Sequence, residues 1–295
     1  YLYVRGFMEY ISDYIDEKNL FLSFNELAKQ IFSLDFLQWK NAGCCDGSYV
    51  PHSFVHDGKI IANVSVTKAD MMIKNKSAKA IQIGTVMTDP LFRGQGLSRK
   101  LIEAVLKEYS DVDVFYLFAN DSVLDFYPKF GFVSSDEFLY NNKNISDFKS
   151  ISGVRKLNGK RAEDIAILKD ILSKRVFQSQ LFGIKSAVSI PLWHFLNTYT
   201  DAFHYIPDID CVAVYSVQNT ELCLYDVISA SPLKADDVIP FIISSDVNRI
   251  VYHFMPDEFD PCAVKGDRFY YDKMFCLGRN IKLPDNLKYP AVYTA

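Results

Sequence analysis

The feature that most constrains the fold of this chain is a change of pattern across residues 86–98, which read VMTDPLFRGQGLS. A strand-like apolar run stops at an Asp-Pro pair, Arg93 is followed by Gly94 and Gly96, and residues 97–109 carry apolar side chains at helical spacing. Glycine accepts positive φ and lets other groups approach the backbone closely. The pattern predicts a strand that turns directly into an α-helix. The two glycines fit either a simple tight turn or a cradle for a phosphate.

The flanking segments predict a mixed α/β domain. Residues 1–40 have helix-like apolar spacing, and the pair Asp57-Gly58 is typical of a hairpin turn because both residue types accept positive φ. The later predicted elements are two strands within 49–71, a third strand at 80–88, a helix at 96–109, a strand at 114–120, a helix at 121–130 and a strand after Gly131. Strands and helices in this order indicate a mixed sheet covered by helices.

Composition limits the class of protein and its partners. The chain has 295 residues, enough for about two domains, and its 49% hydrophobic and 23% charged residues are typical of a folded protein. A net charge of −4 argues against a general binder of nucleic acid or anionic membranes, and no apolar run approaches the roughly 18 residues that span a bilayer. We therefore expect a cytoplasmic protein. The six cysteines and five histidines lack metal-site spacing, so we expect buried thiols and no metal.

A second motif follows about 30 residues after the glycine loop, where residues 117–132 read LFANDSVLDFYPKFGF. Together the two stretches resemble the GNAT (Gcn5-related N-acetyltransferase) superfamily over roughly residues 20–140. The R/Q-x-x-G-x-G/A loop of that family is matched by Arg93, Gly94, Gln95, Gly96, Leu97 and Ser98, with Ser98 where Gly or Ala is usual. The later N…FY…GF signature is matched by Asn120, Phe126, Tyr127, Gly131 and Phe132.

The resemblance implies an acyl-CoA N-acyltransferase fold with acetyl-CoA as cosubstrate. The strand end formed by Val86, Met87 and Thr88 would diverge from the strand at 114–120 and pair its free backbone groups with the pantetheine amides. The backbone N–H groups of Arg93, Gly94, Gln95, Gly96, Leu97 and Ser98 would hold the pyrophosphate. Asn120 would reach the pantetheine or the surroundings of the attacking amine, and Tyr127 would stand near the thioester sulfur.

Amine acetylation needs two proton transfers, and Tyr127 is the candidate for one of them. An alkylamine must lose a proton before it attacks the thioester, and the departing CoA thiolate then needs a proton. A phenol with a pKa of about 10 is a reasonable donor to that thiolate. The alternative for Tyr127 is an aromatic core residue.

The general base has several weak candidates. Gln82 occupies the position where many members of the family carry a glutamate, and an amide cannot take a proton, although it can orient a water molecule. His52 and His56 lie on the hairpin, and histidine is the side chain type most suited to proton transfer near neutral pH, but solvent-facing loop positions are the favoured interpretation. Glu103 is favoured as a surface charge, and a terminal carboxylate at Ala295 is a further alternative. The sequence leaves the base unassigned.

A domain boundary is expected near residue 150, giving domains at 1–149 and 150–295. The element order of the second domain resembles a smaller, degenerate α+β copy of the same fold without the glycine loop, and an unrelated α+β cap fits equally. We expect it to wall off the acceptor site or form a homodimer surface. Trp39 and Trp193 suit an acceptor pocket but are more often core, and the acidic run at 257–260 suits a cationic acceptor or a solvated loop.

Two functions from different classes remain open. The first is an acetyl-CoA-dependent N-acetyltransferase that moves an acetyl group to a small-molecule or peptide amine by direct attack in a ternary complex. The second is a non-catalytic acyl-CoA-binding regulatory module, which Gln82 and the unassigned base favour. Tyr127 favours the enzyme, because a pure binding module has no use for an acid at the leaving group. A purely structural turn in an interaction protein is a third interpretation, but it does not explain the second motif.

Overall fold

The computed structural model of the protein describes residues 8–279 and 281–295. Within them the α-helices are α1 (Lys18–Phe32), α2 (Leu37–Asn41), α3 (Leu97–Glu108), α4 (Ala162–Lys174), α5 (Ser189–Asn197) and α6 (Ala235–Ile242). The strands are β1 (Met8–Ser12), β2 (Tyr49–His56), β3 (Lys59–Ile73), β4 (Lys76–Thr88), β5 (Val114–Ala119), β6 (Val133–Asn142), β7 (Arg155–Lys156), β8 (Phe182–Lys185), β9 (Phe203–Ile206), β10 (Cys211–Gln218), β11 (Glu221–Ser229), β12 (Arg249–Tyr252) and β13 (Val264–Gly278). None of the described helices has the length and apolar character needed to cross a membrane.

All of these strands belong to one mixed sheet, as the α/β prediction requires. The strand order is β1-β2-β3-β4-β5-β13-β6-β12-β11-β10-β9-β7, and β8 pairs with β3 beside this path. The β2–β3 hairpin turns at Asp57 and Gly58, whose φ values are 49° and 73°. The predicted turn is therefore confirmed, with positive φ at both residues.

The strand β13 connects the two halves of the chain. It comes from the end of the sequence, yet it lies between β5 and β6 and pairs antiparallel with both. The short strand β8 also crosses over, pairing with β3. The sheet thus runs continuously through both halves, and the boundary near residue 150 stays a prediction about how the chain divides.

Several predicted elements have different limits in the structure. The helical pattern predicted over residues 1–40 resolves into α1 and α2, β1 comes before them, and residues 1–7 lie outside the described part of the chain. The helix predicted at 121–130 is two 3-10 turns, Asp121–Val123 and Tyr127–Phe130. Pro128 lies in the second of these, and a proline near the start of a short turn prevents continuation of an α-helical ladder through it.

The helix α3 lies on the sheet through the apolar stripe that the sequence predicts. Leu97, Leu101, Ile102 and Val105 are buried and pack with Leu117 and other apolar side chains of the sheet. Each fully buried side chain of this size contributes about 1.5 to 3 kcal/mol relative to exposure. This packing fixes the first turn of α3, and with it the glycine loop, against the end of β4.

Candidate functional site

The site begins where two neighbouring parallel strands separate. β4 pairs with β5 only from Ala80 to Ile83, opposite Val114 to Leu117. Beyond that point β4 stays paired with β3 as far as Thr88, while β5 stays paired with β13 as far as Ala119. The strand ends therefore diverge as predicted, and a cavity of about 1060 Å³ opens between them.

A bulge in β4 accounts for the divergence. Asn63 of β3 pairs with Met87 and Ser65 pairs with Gly84, so β4 has one residue more than β3 in this stretch. Thr85 adopts a φ of 47° in the bulge, which is unusual for a β-branched residue. Asn63 Nδ2 donates to the Thr85 carbonyl oxygen at 2.8 Å, and this hydrogen bond holds the bulge in place.

The glycine loop lies at one end of the cavity. Gly94 and Gly96 have φ values of 77° and 72°, and no atom lies within 4 Å of the position that a Cβ would take at either residue. Gly96 is the N-cap of α3 and supplies no side-chain hydrogen bond, so the N–H groups of the first turn lack intrahelical partners. Open space, unpaired N–H groups and the positive end of the helix dipole make this loop suited to an anion.

The other loop residues are held in place by local hydrogen bonds. Ser98 Oγ lies 2.8 Å from Thr88 Oγ1, which ties the start of α3 to the end of β4. Arg93 is exposed, and its Nε donates to the Thr88 carbonyl oxygen at 3.4 Å. Both residues line the cavity, as do Val86, Met87, Gly94 and Leu97, whereas Gln95 is exposed and does not line it.

Asn120 lies on the opposite side of the cavity at the end of β5. Its Oδ1 accepts a hydrogen bond from the Ser122 backbone N–H at 3.1 Å and so caps the 3-10 turn that follows. The side-chain oxygen therefore has a structural role that the sequence interpretation did not include. The residue still lines the cavity, together with Ser122.

Tyr127 lies in the cavity wall between the two strand ends. Its ring packs against Phe126, Phe132 and Phe275 at centroid distances of 5.3, 6.2 and 6.0 Å. Burial raises the pKa of Tyr127 to about 12, so the phenol keeps its proton at neutral pH. Within the described residues its hydroxyl group has no hydrogen-bond partner, which leaves it available to a bound molecule.

The residues considered as the general base lie away from the cavity, with one exception. The favoured solvent-facing position of His52 and His56 is wrong: both lie in β2 and are buried. His52 is enclosed by the hydroxyl groups of two tyrosines, and burial lowers its pKa. Glu103 is an exposed residue of α3 with its carboxylate 3.7 Å from Arg99, as the surface-charge interpretation requires. Ala295 is the exception, since it lines the cavity.

Gln82 has a structural partner in the C-terminal strap, by which we mean residues 287–295. The side chain is fully buried, and its Nε2 donates to the Tyr293 carbonyl oxygen at 3.1 Å. A glutamate at this position would lack that donor. The amide at residue 82 therefore fits a tether and not a proton acceptor.

Buried polar groups from both halves of the chain hold the strap. Lys288 Nζ donates to Glu137 Oε1 at 2.7 Å, and the hydroxyl oxygens of Tyr289 and Tyr116 lie 3.0 Å apart. His194 Nε2 donates to the Thr294 carbonyl oxygen at 2.8 Å, and burial lowers the pKa of this histidine to about 4. These contacts place Ala295 beside β4, where a Cβ at Gly84 would lie 3.4 Å from the Ala295 Cβ.

Two other sequence candidates also have structural roles. Trp39 is buried in the core, and with Trp193 it lines a side pocket of about 60 Å³ that shares Leu34, Thr85 and Ala295 with the main cavity. In the acidic run at 257–260, Asp260 is buried and accepts hydrogen bonds from Asn142 and Tyr252. That carboxylate holds a loop together and does not reach the cavity.

Sequence reasoning did not identify Tyr271 and Asp272, which line the cavity from β13. The signal available was weak: residues 268–278 read RFYYDKMFCLG, in which a YYD stretch interrupts the alternation of a strand. Phe118 and the end of α1, with Ile31 and Phe32, add apolar walls that the motifs did not indicate either.

Comparisons with known proteins agree with this geometry. Residues 48–134 match the family model described as an acetyltransferase (GNAT) domain. No curated protein matches the chain significantly.

Solved structures resemble the chain over most of its length. A protein of unknown function from Enterococcus faecalis V583, described as a probable N-acyltransferase, is 14% identical with a TM-score of 0.59, covering 92% of this chain and 72% of that one. A GCN5-related N-acetyltransferase from Kribbella flavida is 13% identical with a TM-score of 0.56, covering 92% and 71%. Eis1 from Mycobacterium abscessus is 13% identical with a TM-score of 0.56, covering 92% and 73%. At these identities the likeness is one of fold.

Proposed function

We propose that the chain is an acetyl-CoA-dependent N-acetyltransferase, because residues 48–134 match the model of an acetyltransferase (GNAT) domain. In this proposal an amine attacks the acetyl thioester directly, while both substrates are bound. The observation that carries the proposal is one shared cavity, lined by the separated strand ends, the glycine loop and Tyr127.

In the proposed complex, the parts of acetyl-CoA would follow one another along the cavity. The pyrophosphate would bind at residues 93–98. There the space beside Gly94 and Gly96 is open, and the first N–H groups of α3 have no intrahelical partners. The pantetheine would lie along Val86, Met87 and Thr88 and add to β4 in the manner of an extra strand, because β5 leaves that edge unpaired. Asn120 would contact the pantetheine from the other side.

Tyr127 would act as the general acid. The amine nitrogen, after losing its proton, forms a bond to the thioester carbon, and the carbon–sulfur bond breaks as the acetyl group transfers. The thiolate then takes the phenolic proton of Tyr127. The nitrogen loses one proton before and one after the new bond forms, both to water, and the phenolate regains one proton from water, so that one proton is released overall. The raised pKa of Tyr127 keeps that proton in place until a base forms beside it.

Two measurements on the same protein test this function. Acetyl-CoA at 100 times its Kd should stabilise the fold by about 2.7 kcal/mol, measured as a thermal shift, and CoA thiol should be released only when an amine is present. No thermal shift would contradict the cradle at residues 93–98. A shift without amine-dependent thiol release, across a panel of polyamines, amino acids and peptide N-termini, would favour the acyl-CoA-binding regulatory module, for which the tethered Gln82 is the supporting observation.

A further inference from the structure

The strand β13 carries an irregularity that opens onto the cavity. Phe269 pairs with Glu137 of β6 and Met274 pairs with Ser135, so residues 270–273 stand opposite Asp136 alone. We call residues 270–273 the β13 bulge. Arg268, which precedes the bulge, and Lys273, its last residue, both donate to the Asp136 carboxylate and close its base. The bulge is therefore an anchored projection of the sheet.

The bulge presents one ring and one carboxylate to the cavity. Tyr271 and Asp272 line it, whereas Tyr270 does not. The rings of Tyr271 and Phe269 are stacked at a centroid distance of 6.1 Å, yet Tyr271 remains 75% exposed. Tyr270 is 80% exposed on the same bulge and so offers a matched comparison.

The charged residues that line the cavity come from two separate parts of the chain. The cations among its described lining residues are Arg93 and Arg99, beside the glycine loop, and its side-chain carboxylate is Asp272. Partial burial, and then the negative charge of Asp121, raise the pKa of Asp272 above its ordinary value. Apolar side chains, among them Phe32, Leu34 and Phe118, form the walls.

The position of Asp272 decides which amino group it suits. A carboxylate beside an ammonium group stabilises the protonated form, and an amine must be deprotonated to attack. Tyr127 is buried in the cavity wall, whereas Asp272 lies at the exposed rim. Asp272 therefore suits a cation that keeps its proton and is not itself the reacting amine.

We propose that the β13 bulge selects the acceptor, with Asp272 and the Tyr271 ring binding the second ammonium group of a diamine whose methylene chain lies along the apolar walls. An ammonium group is attracted both by a carboxylate and by the face of an aromatic ring. This inference rests on the proposed acetyltransferase function, because it assigns the acceptor of the same site. It gives the second half of the chain, which supplies β13, a direct part in substrate choice.

The test compares diamines with monoamines of equal length. We would use 1,3-diaminopropane, 1,5-diaminopentane and 1,8-diaminooctane, each against its monoamine, and measure kcat and KM at saturating acetyl-CoA. For the diamine that fits best we expect a KM about tenfold lower than that of its monoamine, with similar kcat. Asp272→Asn should remove this preference and leave the monoamine unchanged, and Tyr271→Ala should weaken it. Asp267→Asn and Tyr270→Ala, exposed changes on the same strand outside the cavity, should have no effect.

Binding measurements keep this inference separate from the proposed function. Calorimetric titration of the diamines into CoA-saturated protein needs no turnover, and the affinity of the best diamine should fall about tenfold in Asp272→Asn. If thiol release fails but this loss of affinity is seen, the acetyltransferase proposal is wrong and the cation site stands. If monoamines and diamines bind equally, or Asp272→Asn and Asp267→Asn behave alike, the bulge does not select the acceptor.

Discussion

At the scale of single residues, the candidate site holds a tyrosine whose ring is packed and whose hydroxyl group has no hydrogen-bond partner among the described residues. The aromatic neighbours of Tyr127 come from both halves of the chain, since Phe126 and Phe132 belong to the first half and Phe275 to β13. Burial raises the pKa by disfavouring the phenolate, and the same burial fixes the direction of the ring. The packed ring sets the direction of the hydroxyl group, and the raised pKa keeps that group protonated at neutral pH.

Replacing Tyr127 with phenylalanine should separate catalysis from packing. The ring and its contacts remain, so we expect the affinity for acetyl-CoA to stay within about twofold, while kcat falls about 100-fold through loss of the general acid. Steady-state kinetics and equilibrium titration with CoA measure the two quantities. Equal losses in both would assign the hydroxyl group to binding.

The pKa of Tyr127 also predicts a difference in stability at high pH. The folded-state pKa is about 12 against an ordinary value of 10.0, so the unfolded state ionises first. The stability due to this group is unchanged below pH 10 and declines as the pH rises from 10 towards 12. Tyr127→Phe should therefore lose less stability than the unmodified protein over that interval, as measured by urea unfolding.

Gln82 lies where many members of the family carry a glutamate, so restoring the glutamate would be expected to create a base. The structure predicts a loss of stability instead. Gln82→Glu should not create a base. It should remove the donor to the Tyr293 carbonyl oxygen and bury an acid group in a dry site, destabilising the fold by about 2 to 4 kcal/mol. Gln82→Met, which leaves no unpaired polar atom, should cost less. Urea unfolding of both variants checks this order, and a stable and faster Gln82→Glu enzyme would contradict the tether.

Among single residues, those in local motifs were predictable and those fixed by distant contacts were not. Arg93, Gly94, Gly96 and Tyr127 could be identified because loop and turn chemistry depends on neighbouring positions in the sequence. The tether of Gln82 depends on Tyr293, more than two hundred residues away, and no local pattern records such a contact. The burial of His52 was not predictable for the same reason. It depends on Tyr10 from β1 and on Tyr109 from the C-terminal end of α3.

At the scale of elements, the important unit is the passage from β4 through the glycine loop into α3. The bulge at Thr85 turns β4 away from β5, and Gly96 then begins the helix with a left-handed conformation. Together these two devices point the free N–H groups of α3 and the free edge of β4 into one cavity.

The conformation of Gly96 allows a controlled test of this unit. Alanine at a positive φ costs about 1 kcal/mol, and at Gly96 its Cβ would also enter the open space that we propose for the pyrophosphate. We expect Gly96→Ala to lose about that much stability and at least about tenfold in CoA affinity. Gly58→Ala has a comparable φ and an equally open Cβ position at the hairpin turn, so it should lose similar stability with unchanged CoA affinity.

The order of the elements followed from hydrophobic periodicity, but their details depended on tertiary contacts. β1 lies in a stretch with helix-like spacing, whereas the hairpin, the strands β2 to β5 and α3 lie where the pattern predicts. The 3-10 turns at 121–130 and the β13 bulge do not, because side-chain caps, a proline and cross-strand register decide them. Register is a property of a pair of strands, so the sequence of one strand does not determine it.

At the scale of the whole molecule, the two halves share one sheet through β13. Removing residues 150–295 would strip β13 from between β5 and β6 and expose the facing edges of both strands. Exposed edges invite aggregation. We therefore expect residues 1–149 alone to be insoluble or unfolded, judged by circular dichroism and gel filtration.

A matched variant can separate strand loss from general truncation. Residues 262–295 joined to residue 149 through a flexible linker would return β13 and the strap to the first half, and we expect this protein to be more soluble and to bind CoA. A folded, CoA-binding fragment 1–149 would contradict the role of β13 and support an independent first domain.

The placement of β13 also delays completion of the sheet while the polypeptide is being synthesised. Between Asn142, the end of β6, and Val264, the start of β13, 121 residues must leave the ribosome. At roughly 5 to 20 residues per second, the gap beside β5 stays unfilled for about 6 to 24 s of synthesis. During that interval β5 and β6 of the nascent chain each have an unpaired edge in the middle of the sheet. Slower translation or a missing chaperone should therefore lower the yield of folded protein more than for a protein whose strands pair in sequence order.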